Sequence, residues 1–245
     1  MFGTRSILQK LMVHDIIFLI FIMFMFFSMT LVIFFFRGPL ECAEGPSGEG
    51  IVEKALESLE KSQGFTFVIN EEAQGYQLMF AGQVFNPDKL IGILRDYDLK
   101  VYRISEDLFV KNPLSEEWEM LKEEEMEDLN SFVQSPLYVL SHIYNHWPDY
   151  EEVRREYVGE KAYLVINYLP PEGSWGNLLD NYYPSLSLEQ LKHVSCHLWI
   201  KEEEGCLYKI RFLLTLDLKE EGIQTISRDI IIKSPEKDVS PPLIF

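Results

Sequence analysis

Residues Gly75–Leu121 read GYQLMFAGQVFNPDKLIGILRDYDLKVYRISEDLFVKNPLSEEWEML. Tyr76, Leu78 and Phe80 alternate with Gln77, Met79, Ala81 and Gln83, which is the two-residue period of a β-strand. DKLIGILRDY, LKVYRIS, DLFVKN and EWEMLK follow as short apolar runs divided by polar turns. Evenly spaced short strands of this kind predict an antiparallel sheet or a partial barrel.

The flanks extend the pattern. GFTFVIN (Gly64–Asn70) reads as one more strand, and before it IVEKALESLEKS places Ile51, Val52, Ala55, Leu56 and Leu59 on one face of a short helix. The middle of the chain is helical, with apolar residues three and four apart in EEEMEDLNSFVQS and PLYVLSHIYNHW. Pro136 suits a first helical turn, with Ser135 as its cap. EEVRREYVG and KAYLVINYL return to strand, a loop rich in Pro, Gly, Asn and Tyr covers Pro170–Pro184, and SLEQLKHV has room for one or two helical turns. SCHLWIK, CLYKIRFLLTLDL and IQTISRDIIIKSP close the chain as strands. The order of helix, strands, two helices and strands predicts an α+β fold: one large curved antiparallel sheet with helices packed on one face.

The same segments carry a resemblance. The strand ending in Asn86-Pro87, the later SPLYVLSHI and VGEKAYLVINY, and the hairpin CHLWIKEEEGCLYKIRFLLTL resemble the LolA/LolB-like superfamily in order and apolar pattern over roughly residues 51–235. This superfamily includes lipoprotein carriers, the regulator RseB and mycobacterial lipid-binding lipoproteins. Trp199-Ile200-Lys201 is similar to its Trp-Ile-Asp hairpin, with Lys201 as the departure. The resemblance implies a half-open barrel whose concave face is partly covered by helices and holds a lipid, an acyl chain or a partner protein. The layout is that of a Gram-positive envelope version, similar to germination lipoproteins of the GerS type. Inward positions are expected to include Phe80, Tyr102, Phe109, Trp118, Trp199, Tyr208 and Phe212, lining a greasy concavity or filling a closed core.

Ahead of this domain, Ile16–Phe36 contains no charged residue, and about 20 helical residues cross a bilayer core. The run is longer than the apolar core of a cleaved signal. Ala43-Glu44-Gly45 has the spacing of a cleavage site but is followed by Pro46, and Glu41 stands before Cys42 where a lipidation signal wants a small residue. The segment is therefore expected to stay as a single-pass anchor, with cleavage and Cys42 acylation as the alternatives. Arg5 and Lys10 before it, against Arg37 after it, place the N-terminus inside. The expected organisation is a cytoplasmic N-terminus (1–15), an anchor (16–36), a Gly/Pro/acidic linker (37–50), the extracytoplasmic domain (51–235) and a tail (236–245).

The formal net charge is −17. Arg5, Lys10, Asp15 and Arg37 give the first 37 residues a net +2, so the remainder stands at −19. Such a domain repels nucleic acid and anionic headgroups. Cys42, Cys196 and Cys206 are the only cysteines, too few for a disulfide scaffold. Matching the apolar faces of the last hairpin sets Cys196 near Ile210 and Ile200 near Cys206, so free thiols are expected.

No catalytic constellation is visible. His142 and His146 are four apart, but Ile143 follows the first and no third ligand is near, so a zinc site is not expected. The acidic runs Glu123–Asp128 and Glu202–Glu204 lack the alternating oxygens and central glycine of a calcium loop. No phosphate-binding glycine loop or nucleophile elbow is present. The sequence therefore predicts no enzyme, cofactor or metal. It predicts a membrane-anchored binding protein for a lipid or acylated ligand or, alternatively, a scaffold or chaperone for an envelope or spore-envelope enzyme.

Overall fold

The computed structural model describes residues 48–233, apart from residues 63, 87, 88, 106, 113, 122, 148 and 219–221. The expected anchor, most of the linker and the tail lie outside the described residues. No helix among the described residues is long and apolar enough to cross a membrane.

Eleven strands form one antiparallel sheet: β1 (Phe65–Ala73), β2 (Tyr76–Asn86), β3 (Lys89–Leu94), β4 (Leu99–Ile104), β5 (Asp107–Lys111), β6 (Trp118–Met120), β7 (Glu152–Val158), β8 (Lys161–Tyr168), β9 (Leu191–Lys201), β10 (Leu207–Leu218) and β11 (Gly222–Lys233). Their spatial order is β6-β5-β4-β3-β2-β1-β11-β10-β9-β8-β7. Every neighbour in this order is also a neighbour in sequence except β1 and β11. The two halves meet at that pairing, and β6 and β7 are the edges of an open sheet. The chain between those edges carries α2 (Glu123–Phe132) and α3 (Pro136–His146). With α1 (Gly48–Glu60) and α4 (Trp175–Tyr182), these helices cover one face of the sheet and leave the other open.

The covered face is built by register. Paired residues in antiparallel strands share a face. One row runs Ile166–Leu198–Ile210–Ile230–Ile69–Phe80–Leu94–Leu99 across eight strands, apolar throughout. Beside it, Phe67 faces Gly82, which faces Gly92. A Cβ at Gly82 would stand 2.7 Å from the Phe67 ring, and one at Gly92 would fall on the Phe80 ring. The two glycines make room for those phenyl groups. Helix residues complete the layer: Val52 and Ala55 of α1, Val139, Leu140 and Ile143 of α3, and Leu178 and Tyr182 of α4 are all buried. Trp147 and Tyr182 close on Phe212 at 6.2 and 5.2 Å between ring centroids. Ser135 caps α3 as expected, its hydroxyl accepting from the Leu137 N–H at 3.3 Å, with Pro136 in the first turn.

Three local readings change. The segment read as loop from Pro170 contains a 3-10 turn, Glu172–Ser174, and the eight-residue α4. The helical turns expected in SLEQLKHV reduce to one 3-10 turn, Leu188–Gln190, closed by a Ser187/Gln190 capping box, and Leu191 already begins β9. In the last hairpin Cys196 lies opposite Phe212, not Ile210, because Ile200 pairs with Leu207 in place of Cys206 and a bulge at Tyr208 shifts the register by one more residue. Both thiols are free, Cys196 buried and Cys206 beside the Ser58 hydroxyl at 3.1 Å.

This packing predicts a contrast between two aromatic residues. Phe212→Ala should cost about 3–5 kcal/mol in chemical denaturation of the purified chain, the range for a large ring removed from a filled core. Trp199→Ala, on the open face, should cost about 1 kcal/mol. Equal costs would contradict the face assignment.

Candidate binding site

The seven aromatic residues expected to point inward divide by face. Phe80 and Phe212 lie on the covered face and are fully buried in the core. The other five lie on the open face, which corrects the expectation. Tyr102 pairs with Ile91 and Phe109 in a row that does not face the helices, while its neighbour Val101 does. Its ring meets those of Phe109 and Trp118 at 6.4 and 6.1 Å, a separate cluster outside the main core. Tyr208, in the bulge, stacks 4.8 Å from Tyr163. Trp199 lies under the Lys209 ammonium at 5.1 Å and donates its Nε1–H to Glu156 at 2.9 Å. That hydrogen bond, more than the nearby Arg154, holds the Glu156 carboxyl below its usual range.

A polar site lies on the covered face, where apolar residues would be expected. The inward positions of β1 run Phe65, Phe67, Ile69 and then Glu71; those of β11 run Ile226, Arg228 and Ile230. Glu71 and Arg228 are register partners. The Arg228 Nε donates to Glu71 at 2.6 Å and its Nη1 to the Ser131 carbonyl at 3.2 Å. The guanidinium packs between the rings of Tyr183 (4.1 Å) and Phe132 (5.1 Å), a desolvated cation–π setting. The Tyr76 hydroxyl donates to the other Glu71 oxygen at 3.1 Å. Burial first, and then the Glu71 charge, push the Tyr76 phenol up to about 12.

These groups line a half-open cavity of about 230 Å³, whose apolar wall includes Leu78, Phe132, Leu186 and Ile226. The hydroxyls of Tyr182 and Tyr183 are buried there without a hydrogen-bond partner among the described residues. Burial pushes both phenols well up, so they stay neutral. Buried hydroxyls without partners are costly. The cavity therefore offers two unsatisfied hydrogen-bonding groups beside a neutralised ion pair. Nothing in it is a nucleophile paired with a base. The sequence signal was there: a charged residue at an inward position of an alternating strand, on each of two strands.

His142 and His146 stack at 4.3 Å, and the His146 Nδ1 lies 3.0 Å from the His142 carbonyl. Among the described residues no three His, Cys, Asp or Glu side chains gather as a metal site. His142 also meets the Tyr182 ring edge-on at 5.6 Å.

No protein-family model and no curated protein matches the chain. Several solved structures are similar to it. The Mycobacterium tuberculosis lipoprotein LppX is 11% identical over 80% of this chain and 98% of that one, at a TM-score of 0.47. MucB in complex with periplasmic MucA is 10% identical over 78% and 58%, at 0.40. A putative outer membrane lipoprotein-sorting domain from Vibrio parahaemolyticus is 9% identical over 76% and 90%, at 0.31. All three scores are below 0.5.

Two partly buried histidines, His142 beside Tyr182 and His197 beside Trp199, predict an acid dependence. Burial, then the His146 charge, hold His142 below its ordinary 6.5. Burial, then Arg154 and Arg211, lower His197, with Glu156 opposing. The unfolded chain then takes up these protons first, so their effect is absent well above pH 6.5 and destabilises the fold as pH falls through 6.5. The denaturant midpoint should drop between pH 7.5 and 5, and a His142→Gln/His197→Gln variant should show a flatter profile. Identical slopes would contradict this.

Proposed function

We propose that the chain is a non-catalytic binding protein held at the outer face of the cell membrane by its Ile16–Phe36 segment, and that its covered-face cavity receives a side chain of a protein partner. The carrying observation is how the covered face is filled. Phe67, Phe80, Phe212, Leu198 and Tyr182 are each less than 2% exposed there. The cavity beside them, about 230 Å³, is below the roughly 300–1,000 Å³ of small-molecule sites. It suits one anchoring side chain, with the free Tyr182 and Tyr183 hydroxyls fixing a polar tip. This favours the scaffold reading over a lipid held between sheet and helices. An envelope or spore-envelope enzyme is the partner class that the LolA/LolB-like resemblance implies.

A photo-crosslinking residue at Leu186, in the cavity wall, tests the proposal in intact membranes of the source cells. Leu114, 94% exposed in the turn between β5 and β6, is the control position. The expected result is a discrete protein adduct from position 186 and none from 114. Adducts of lipid mass alone, or no adduct at 186, would refute the partner reading.

A further inference from the structure

The open face holds a second cavity. A groove of about 530 Å³ crosses β1, β2, β3 and β4. Its floor is Val68, Ala81, Ile91 and Ile93, all half-buried. Val68, Ala81 and Ile93 form one row across three strands, which Lys100 continues on β4. The neighbouring row is Lys233–Thr66–Gln83–Ile91. Three of its members carry hydrogen-bond donors side by side on β11, β1 and β2: the Lys233 ammonium, the Thr66 hydroxyl and the Gln83 amide. The Gln83 Nε2 is buried without a partner among the described residues. Arg95 and Lys100 stand at the far side of the groove.

The charge balance here is unlike that of the rest of the chain. No acidic side chain lines the groove, although acidic residues outnumber basic ones 39 to 22 in the sequence. Arg95, Lys100 and Lys233 are in no ion pair among the described residues, whereas Lys209 and Arg211, also on the open face, both pair with Asp229. Three cations beside an apolar floor, with an orphaned amide donor between them, complement an anion attached to a hydrocarbon.

Dimensions select the hydrocarbon. The floor is two rows wide, about 7 Å, narrower than the 10–12 Å of a helix with its side chains. A sheet face offers no free backbone N–H or C=O to an extended peptide, and an alkyl chain needs none. From β11 to β4 the groove spans four strand spacings, about 19 Å.

We infer that this groove is a binding site for a long-chain fatty acid. The carboxylate is received by Lys233, Thr66 and Gln83, and the alkyl chain lies over Val68, Ala81, Ile91 and Ile93. Arg95 and Lys100 extend the positive field that draws an anion to an otherwise acidic domain. The site is independent of the covered-face cavity and its partner.

The test is a photoreactive palmitate analogue applied to the full chain in phosphatidylcholine nanodiscs, with the adducts mapped by peptide mass spectrometry. The expected result is labelling within residues 66–100. A Lys233→Glu/Lys100→Glu variant with an unchanged thermal midpoint should reduce that labelling at least tenfold while leaving any labelling of residues 16–36 as it was. The analogue lacking the carboxylate, a photoreactive hexadecanol, should label residues 66–100 far less. Labelling confined to residues 16–36 or to residues 182–186, equal labelling of the variant, or an unlabelled groove, whether empty or covered by a protein, would overturn the assignment.

Discussion

Arg228 is a buried cation on a face that is mostly hydrocarbon, and the joint between the two halves of the sheet depends on how it is neutralised. Its only carboxylate partner among the described residues is Glu71, 157 positions earlier in the chain. The two lie on β11 and β1, where the halves of the sheet join. All other strand pairings are between sequence neighbours and, except for β8–β9, are joined by short turns. The β1–β11 pairing has no turn to set it, and a one-residue slip would exchange covered and open faces across that joint. A slip that brings Glu71 opposite Ser227 would set Arg228 against Asn70, without a carboxylate; the opposite slip would set it against Glu72, and either slip would turn Phe67 and Ile69 out of the core. Removing one partner of a buried pair costs about 3–5 kcal/mol. Together with the buried Phe67 and Ile69, the ion pair therefore acts as a register lock for this joint.

The same lock explains what was legible in the sequence. Strand periods, the α3 cap and the α+β class depend on local chemistry and could be read directly. Which face of a strand meets the helices could not. In LKVYRI both Val101 and Tyr102 are apolar, and the larger ring suggests the interior. Pairing through Phe80, Leu94 and Leu99 settles the matter for Val101. The parity of the five aromatic positions is set by the hairpin registers of β2–β6 and by the bulge in β9–β10, which alternation within one strand does not reveal. α4 was hidden because its eight residues lie between Pro171 and Pro184 and carry only one short apolar face. Glu71 and Arg228 broke an alternating pattern in plain view, but each gains its meaning only from the other.

Two surfaces of opposite character follow from one sheet. The covered face is filled with side chains except at the polar end, where Tyr182 and Tyr183 present unsatisfied hydroxyls next to the lock. A partner side chain bound there would touch the residues that hold β1 against β11. The open face keeps its cations paired near Trp199 and unpaired over β1–β4, separating a structural charge cluster from a groove able to take an anion. Whatever occupies either surface binds to a framework whose alignment is already fixed by the ion pair.

A double-mutant cycle on Glu71 and Arg228 measures that claim directly. Denaturation of the chain with Glu71→Leu, with Arg228→Met and with both gives the coupling between the two sites. The account predicts that each single change costs about 3–5 kcal/mol, and that the double variant is no less stable than the worse single, a coupling of at least about 3 kcal/mol. Additive costs, with the double variant destabilised by the sum of the two, would contradict it.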